Sequence, residues 1–283
     1  MNTPVHLIQA ERRTVQAAVA AGRLMRQNLR STKAIHSATQ HDIKLELDVR
    51  CQHLVERHLR SAYPSIAVLG EEGAIGDSGA EYRWVVDPID GTVNFTYGIP
   101  HCCVSIALQR QTTGHSADSP KRARQKTSDH QSPITDRYQT LLGVVYDPFC
   151  NELWTAIRGR RALLNGKGIR VSQRSRLDEA IVSIGFAKYK TTLNRMMPVL
   201  NRLVRRVRKV RIMGSAALAM TYVASGRMDA YLEAGIRLWD IAAGGLILEC
   251  AGGDFWHEPL PGQHKFRVMA NNGRLRRKLG SFI

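Results

Sequence analysis

The run WVVDPIDGTVNF, residues 84–95, decides how this chain is read. Trp84, Val85 and Val86 make a short aromatic and β-branched stretch of the kind that fills a buried strand. That strand delivers Asp87 to its C-terminal end, and Pro88, with no amide to donate, is expected to stop the ladder there. Asp90 returns a second carboxylate close by, and Gly91-Thr92 opens a turn into the next segment. Two carboxylates so near each other repel unless something cationic sits between them. Hard oxygen ligands from Asp, Glu and a backbone carbonyl suit Mg2+. If Gly91 and Thr92 begin a helix, their amides present N–H groups to a phosphate. Taken alone, the pattern is also compatible with a turn that carries two solvated acids.

Two more carboxylates stand at comparable places. Upstream, Gly70-Glu71-Glu72-Gly73 follows the apolar run 66–69, again an acid at a strand end. Downstream, Leu238-Trp239-Asp240-Ile241-Ala242-Ala243-Gly244 puts Asp240 at the start of a small-residue helix, where an N-cap role would by itself explain it.

Around these motifs the periodicity predicts a helix over 5–30, with Ile8, Val15, Ala18, Val19, Gly22, Met25 and Leu29 inward. A second helix is expected from about Asp48 to Ala62, with Val49, Leu54, Val55 and Leu59 inward, ended by Tyr63-Pro64. Strands are expected at 66–69, 84–86, 104–108, 141–146 and 152–157. The polar stretch 111–137 reads as a solvated hairpin insertion or, less simply, a basic docking arm. Further on, Pro198 to Val207 reads as a helix with proline in its first turn and Val199, Leu200, Leu203 and Val204 inward. Val210 and Ile212 alternate as in a strand. Helices follow from Gly214 to Ser225 and from Asp240 to Cys250, the latter closed by Gly252-Gly253. Helices first and then strands mixed with helices suggest a layered α/β or α+β architecture.

Composition bounds the partners. The chain has 283 residues, 43% hydrophobic and 23% charged, which excludes global disorder, and 41 Lys+Arg against 24 Asp+Glu give a formal charge of +17. That charge invites a nucleic-acid reading. It is unevenly spread: residues 195–211 hold seven basic side chains and no acid, and 265–283 hold six and no acid. Residues 1–40 add six against one. By contrast, 65–100 and 212–264 each hold six acids. The candidate site motifs lie in those two acidic islands. No uncharged apolar run is long enough for a membrane helix, and the first residues lack an apolar signal core. Five cysteines without a C-x-x-C pattern support neither structural zinc nor a disulfide framework, so a cytoplasmic location is expected.

Taken together these motifs resemble the inositol monophosphatase family, within the Mg2+-dependent, lithium-sensitive phosphatase superfamily that includes fructose-bisphosphatases. The resemblance rests on Gly70-Glu71-Glu72, on 84–95, and on WDIAAG (239–244) followed by Gly252-Gly253. Lesser matches are 143–146, 162–166 with Val171-Ser172, Gly214-Ser215-Ala216-Ala217 and DAYLEAG (229–235). They occur in the family's order and cover nearly the whole chain, 111–137 excepted. The implied fold is a layered α-β-α-β-α sandwich of the inositol monophosphatase/fructose-bisphosphatase type. One domain over 1–283 is implied, with an N-terminal α+β part to about 180 and a C-terminal α/β part from about 181.

By resemblance, Glu71, Asp87, the carbonyl of Ile89, Asp90 and Asp240 hold two or three Mg2+ ions. Glu71 and the Thr92 hydroxyl activate the attacking water, and Asp90 belongs to the same catalytic set. Asp90, Gly91, Thr92 and Asp240 contact the phosphate side of the substrate. Gly214, Ser215 and Ala216 border the leaving group, and Glu233 accepts from its hydroxyls, although a strand-end surface acid would read the same. The implied activity is hydrolysis of a small phosphorylated polyol such as inositol 1-phosphate. Histidinol phosphate and 3′-nucleotides are alternatives within the same chemistry, and a basic nucleic-acid-associated protein is the alternative outside it. Homodimers are common in the family, and non-specific polyanion binding stays open. The segment Gly185-Phe186-Ala187 departs from the family's more polar pattern. Arg237 either touches substrate or covers the surface. Asp48 matches an acid near a metal position and equally reads as a helix cap.

Overall fold

The computed structural model describes residues 5–31, 35–38, 43–77, 79–112, 138–186 and 190–282. Helices α1 (Leu7–Asn28) and α2 (Glu46–Ala62) come first, with the antiparallel pair β1 (Ile35–Ala38) and β2 (Ile43–Leu45) between them in sequence. Then follow β3 (Ala67–Gly70), β4 (Gly73–Ile75), β5 (Tyr82–Asp90), a short α3 (Thr92–Thr96) and β6 (Cys103–Gln111). The long strands continue with β7 (Tyr138–Asp147) and β8 (Glu152–Ile157), and β9 (Leu163–Leu164) and β10 (Lys167–Gly168) end the series. Strands β3 to β10 form one sheet in the order β10-β9-β8-β7-β6-β5-β3-β4. The remainder comprises β11 (Ile181–Phe186), α4 (Lys190–Val204), β12 (Lys209–Arg211), α5 (Ala216–Ala224), β13 (Ala230–Arg237), α6 (Leu238–Cys250), β14 (Asp254–Pro259), β15 (Lys265–Asn271) and α7 (Arg276–Gly280). Its strands form a second sheet, β12-β11-β13-β15-β14, parallel across β12-β11-β13 and antiparallel beyond.

The period-2 rule explains the layering. On β5, Trp84 and Val86 face α1 and α2 and share a core with Leu59, Val104, Ile106 and Val144. Val85, on the opposite face, joins Val145 and Trp154 in a core with α5 and α6. Tyr231, Val268 and Ala270 of the second sheet close that middle core from the other side. Outside the second sheet, Val182, Ile184, Leu232 and Met269 meet Met196, Val199 and Leu203 of α4 and Leu279 of α7. The layers are therefore α-β-α-β-α. Helix α6 lies between two sheets, so it is apolar nearly all round rather than amphipathic. It approaches β7 so closely that a Cβ on Gly143 would lie 2.7 Å from the Ala243 carbonyl oxygen.

Several expectations shift on contact with tertiary structure. Pro88 does not end its strand: β5 runs to Asp90, and its ladder with β6 breaks after Asp87↔Ser105 and resumes at Asp90↔Cys103. The buried face of α1 is Ala10, Thr14, Ala17, Ala18, Ala21, Gly22 and Met25, so Ile8, Val15 and Val19 are only partly covered. Small residues win because Gly22 sits on the Tyr146 ring, 2.6 Å from where a Cβ would be. Helix α2 buries Leu47, Cys51, Val55 and Leu59 along with polar Gln52 and Glu56, whereas Val49 and Leu54 are not among its buried residues. Helix α4 begins at Lys190, so Pro198 lies inside it and Val204 is 60% exposed. In the 111–137 region, Gln111 pairs with Tyr138 across neighbouring antiparallel strands, and residues 113–137 lie outside the described residues.

Candidate active site

The break in the β5–β6 ladder creates the site. With two residues unpaired, the chain turns, and Asp87 Oδ1 accepts the Ile89 amide at 3.0 Å. Asp87 and Asp90 end up buried, 2% and 7% exposed. Gly91 then takes φ +101°, and a side chain there would meet the His101 carbonyl oxygen and Cys102 Cβ at 3.0 Å, so only glycine fits. The turn leads into α3, where the Thr92 hydroxyl donates to the Ile89 carbonyl at 2.9 Å.

Asp90 is held from the second half of the chain. Its carboxylate accepts the Ser215 hydroxyl at 2.6 Å, the Ala217 amide at 2.7 Å and the Ala216 amide at 3.2 Å. Ser215 and Ala216 thus face the cavity and at the same time fix a carboxylate. Asn94, quoted in the motif but given no role, donates to the carbonyls of His101 (2.8 Å) and Met213 (2.9 Å) and so joins α3 to the segment before α5. Its fixed place in the 84–95 run was the available signal.

Asp240 occupies the third position of α6, and its Oδ2 accepts the Arg237 amide at 2.9 Å. The capping role is real, and it does not exclude the other: oxygens of Asp87, Asp90 and Asp240 all lie within 4.8 Å of one another. Glu71 stands just past β3, its amide bound to the Val86 carbonyl at 3.1 Å, and lines the same cavity. Glu233 lies on β13 opposite Gly185 of β11, inside the cavity rather than on an exposed strand end. The Tyr231 hydroxyl donates to it. A Cβ on Gly185 would lie 2.0 Å from the Glu233 carboxylate, so glycine is what admits that acid to the floor. The cavity, about 320 Å³, also takes in Ile89, Gly91, Thr92, Gly214 and Ser183. Ser183 had no individual signal in the sequence, because only the pairing of β11 with β13 sets it opposite Tyr231; Tyr231 itself lies in the quoted 229–235 run, two residues before Glu233 on one strand face.

Arg237 and Asp48 are placed elsewhere. The Arg237 guanidinium donates to the Gln263 carbonyl at 2.7 Å and is not among the cavity residues. Asp48 accepts the Leu45 amide at 2.8 Å as the third residue of α2, a helix that starts two residues before the expected point. Ala187 lies outside the described residues.

The electrostatics are those of negative charge gathered out of water. Burial, and then the charges of Glu71, Asp90 and Asp240, push the Asp87 carboxyl well above its ordinary range. Burial also raises Asp90, against the opposing hydrogen bonds from Ser215 and the α5 amides. Asp240 is pushed up to about 7 by burial and by Asp90, and Glu233 to about 8, chiefly by burial. Among the described residues, no ion pair with Lys or Arg is formed by Asp87, Asp90 or Asp240. Clustered acidic oxygens of this kind match a hard divalent cation in both charge and donor type.

The sequence pattern of the inositol monophosphatase family matches residues 8–115 and 134–275. Inositol monophosphatase 2 of Solanum lycopersicum is 37% identical over 247 residues, covering 84% of this chain and 83% of that protein. A protein named Nus factor SuhB from Xylella fastidiosa is 35% identical over 242 residues, covering 84% of this chain and 78% of the relative. The crystal structure of the extragenic suppressor protein suhB from Bartonella henselae superposes with a TM-score of 0.81 at 29% identity, covering 96% of each chain. The chain is accordingly a member of the inositol monophosphatase family and a phosphoric monoester hydrolase.

Proposed function

We propose that this chain hydrolyses a small phosphorylated polyol, of the inositol 1-phosphate type, by direct attack of water on phosphorus. The observation that carries the reading is the convergence of Asp87, Asp90 and Asp240 within 4.8 Å, in one cavity with Glu71 and Glu233. Glu71, Asp87, the Ile89 carbonyl, Asp90 and Asp240 would hold two or three Mg2+ ions. When bound, Mg2+ lowers the pKa of water and offsets the charge of the phosphate and the departing oxygen.

The chain's own groups do the positioning. The Thr92 hydroxyl proton is directed at the Ile89 carbonyl, which leaves the oxygen's lone pairs to accept from the attacking water. Glu71 accepts the other proton, and with it the water is aimed along one line. The Gly91 and Thr92 amides, at the start of α3, take the phosphate. Gly214, Ser215 and Ala216 border the leaving group, and Glu233 accepts from its hydroxyls. Phosphoryl transfer needs alignment and charge neutralisation more than covalent help, so no phospho-enzyme is part of the scheme.

The test is a pair of substitutions. Glu71→Gln and Asp90→Asn should each abolish turnover in a folded protein; near-normal activity in either refutes the mechanism. A panel of inositol 1-phosphate, histidinol phosphate, fructose 1,6-bisphosphate and 3′-phosphoadenosine 5′-phosphate identifies the substrate, since a carboxylate at Glu233 receives an amine as readily as a hydroxyl. Millimolar Li+ should inhibit. The exposed apolar residues Val93, Tyr97 and Ile99 support a homodimer, which sedimentation would check.

A second reading has its own support. Arg205, Arg206, Arg208, Lys209 and Arg211 are all exposed, and one relative carries the name Nus factor. Non-specific polyanion binding is therefore proposed as a side property of this basic body. Oligonucleotide affinity that vanishes above physiological salt reduces it to counter-ion release.

A further inference from the structure

Glu71 stands in the turn between β3 and β4, and a turn alone gives a carboxylate no fixed direction. The Val86 carbonyl holds the Glu71 amide at 3.1 Å, and α2 holds the backbone that follows. Gln52, on α2 and 3% exposed, reaches the turn with its side-chain amide. Its Oε1 accepts the Glu72 amide at 2.9 Å, and its Nε2 donates to the Gly73 carbonyl at 3.2 Å. The backbone just after Glu71 is thus clasped on both an N–H and a C=O. On the other side, Gly70 presses on Gln52 so closely that a Cβ there would lie 2.2 Å from Oε1.

Glu56, one helical turn further along α2 and 6% exposed, decides which way this amide points. It accepts Gln52 Nε2 at 2.9 Å. With the amide reversed, the Gln52 oxygen would face the Glu56 carboxylate, and the Glu72 N–H would face an NH₂ group. Both polar side chains are buried in a helix face that otherwise packs on the apolar core. Their burial is compensated by the hydrogen bonds they make, and those bonds end at the turn that carries Glu71.

We propose that Gln52, oriented by Glu56, is a positioning residue for Glu71, setting the carboxylate toward the Asp87–Asp90–Asp240 centre without touching substrate itself. This rests on the reading of Glu71 as a metal ligand and water-orienting group. Outer residues that orient a ligand typically change metal affinity or activity by about 10–100-fold when removed.

The experiment uses the full chain, with calorimetric titration of Mg2+ and steady-state hydrolysis of inositol 1-phosphate across Mg2+ concentration. Gln52→Glu keeps an acceptor for the Glu72 amide but sets a second carboxylate against Glu56. It should weaken Mg2+ binding and lower kcat by about 10–100-fold, with KM little changed. The exchange Q52E/E56Q removes the repulsion between 52 and 56 but leaves a carboxylate oxygen against the Gly73 carbonyl, so it should recover only part of both losses. A merely structural role predicts lowered Tm with Mg2+ affinity and kcat per folded molecule intact, and that outcome overturns the proposal. Should Q52E fail to fold, the near-isosteric Gln52→Met decides: a folded Q52M with wild-type Mg2+ affinity and wild-type kcat overturns the proposal, and weakened Mg2+ binding with lowered kcat supports it. Glu71→Gln separates the layers. If that variant binds Mg2+ and turns over as wild type, the reading of Glu71 fails; if it is inactive while the Gln52 variants are normal, only the positioning role fails.

Discussion

Two groups of buried acids in this molecule have opposite environments. Asp229, wholly buried, accepts the Ser172 hydroxyl at 2.5 Å, the Arg174 Nε at 2.8 Å and the Ile181 amide at 2.8 Å. Both carboxylate oxygens have donors, and a cation stands beside them. Asp87, Asp90 and Asp240 are also taken out of water, yet among the described residues none of them forms an ion pair with Lys or Arg, and the charges that raise Asp87 are Glu71, Asp90 and Asp240. A buried carboxylate with its own arginine is a brace, whereas buried carboxylates facing each other call for a cation from outside the chain. Burial alone does not tell the two apart; the sign of the neighbouring charge does.

The largest effect expected from this contrast is on turnover. Asp87→Asn should cost at least about 100-fold in kcat/KM, while the same variant without metal unfolds at a higher temperature than wild type, because one repelling charge has gone. A fall in the metal-free Tm would break the comparison at its stronger end. Asp229→Ala should do the reverse. Losing hydrogen bonds to a charged group costs about 2–3 kcal/mol, or roughly 4–12 °C in Tm, while turnover per folded molecule persists. Thermal unfolding followed by activity at a permissive temperature checks both halves.

The pH dependence sharpens the contrast further. Asp240 and Glu233 are held at about 7 and about 8, above the usual carboxylate range near 4. A raised folded-state pKa means that the fold binds protons more tightly than the unfolded chain. The stabilisation this gives is complete below about pH 4 and is lost as pH rises through about 7 to 8. Saturating Mg2+ relieves the charged form, so it should raise Tm by about 5–10 °C at pH 8 and by distinctly less at pH 5. Equal increments at both pH values would show that the repulsion is not what the cation relieves. The Asp229→Ala variant should keep the wild-type increment.

The smallest effect concerns the basic exterior. Reversing Arg205 and Arg206 to Glu should lower kcat/KM by only about 2–3-fold, at low salt, and leave kcat alone, since remote charge acts on encounter. A change in kcat measured at high salt would place those residues in the site instead.

Much of this was legible in the residues themselves. The strand, turn and short helix of 84–96, the acid after β3, the capped start of α6 and the confinement of the acids to two islands are all local in sequence. They are written in a few neighbouring residues, because turn geometry, capping and period-2 burial act over a few residues. Even there, Pro88 read as a stop and proved to be a bulge, since the pairing of β6 on both sides of it carries β5 onward. The α1 stripe was misjudged for a related reason: aliphatic size predicts burial only until a neighbour such as Tyr146 demands the smallest residue.

The residues alone supply the inventory: Glu71, Asp87, Asp90 and Asp240 each come with a recognisable local signal, in an order that resembles the family, and Glu233 comes with that resemblance only. Their meeting depends on contacts between distant parts of the chain. Ser215 holds Asp90 from 125 residues away. Glu233 reaches the floor because β11 and β13 pair in a register that puts glycine opposite it. Gln52 clasps the Glu71 turn because α2 lies against the first sheet. Such contacts depend on how sheets pair and helices stack across the whole chain, a long-range sum of small terms that no short stretch of residues contains.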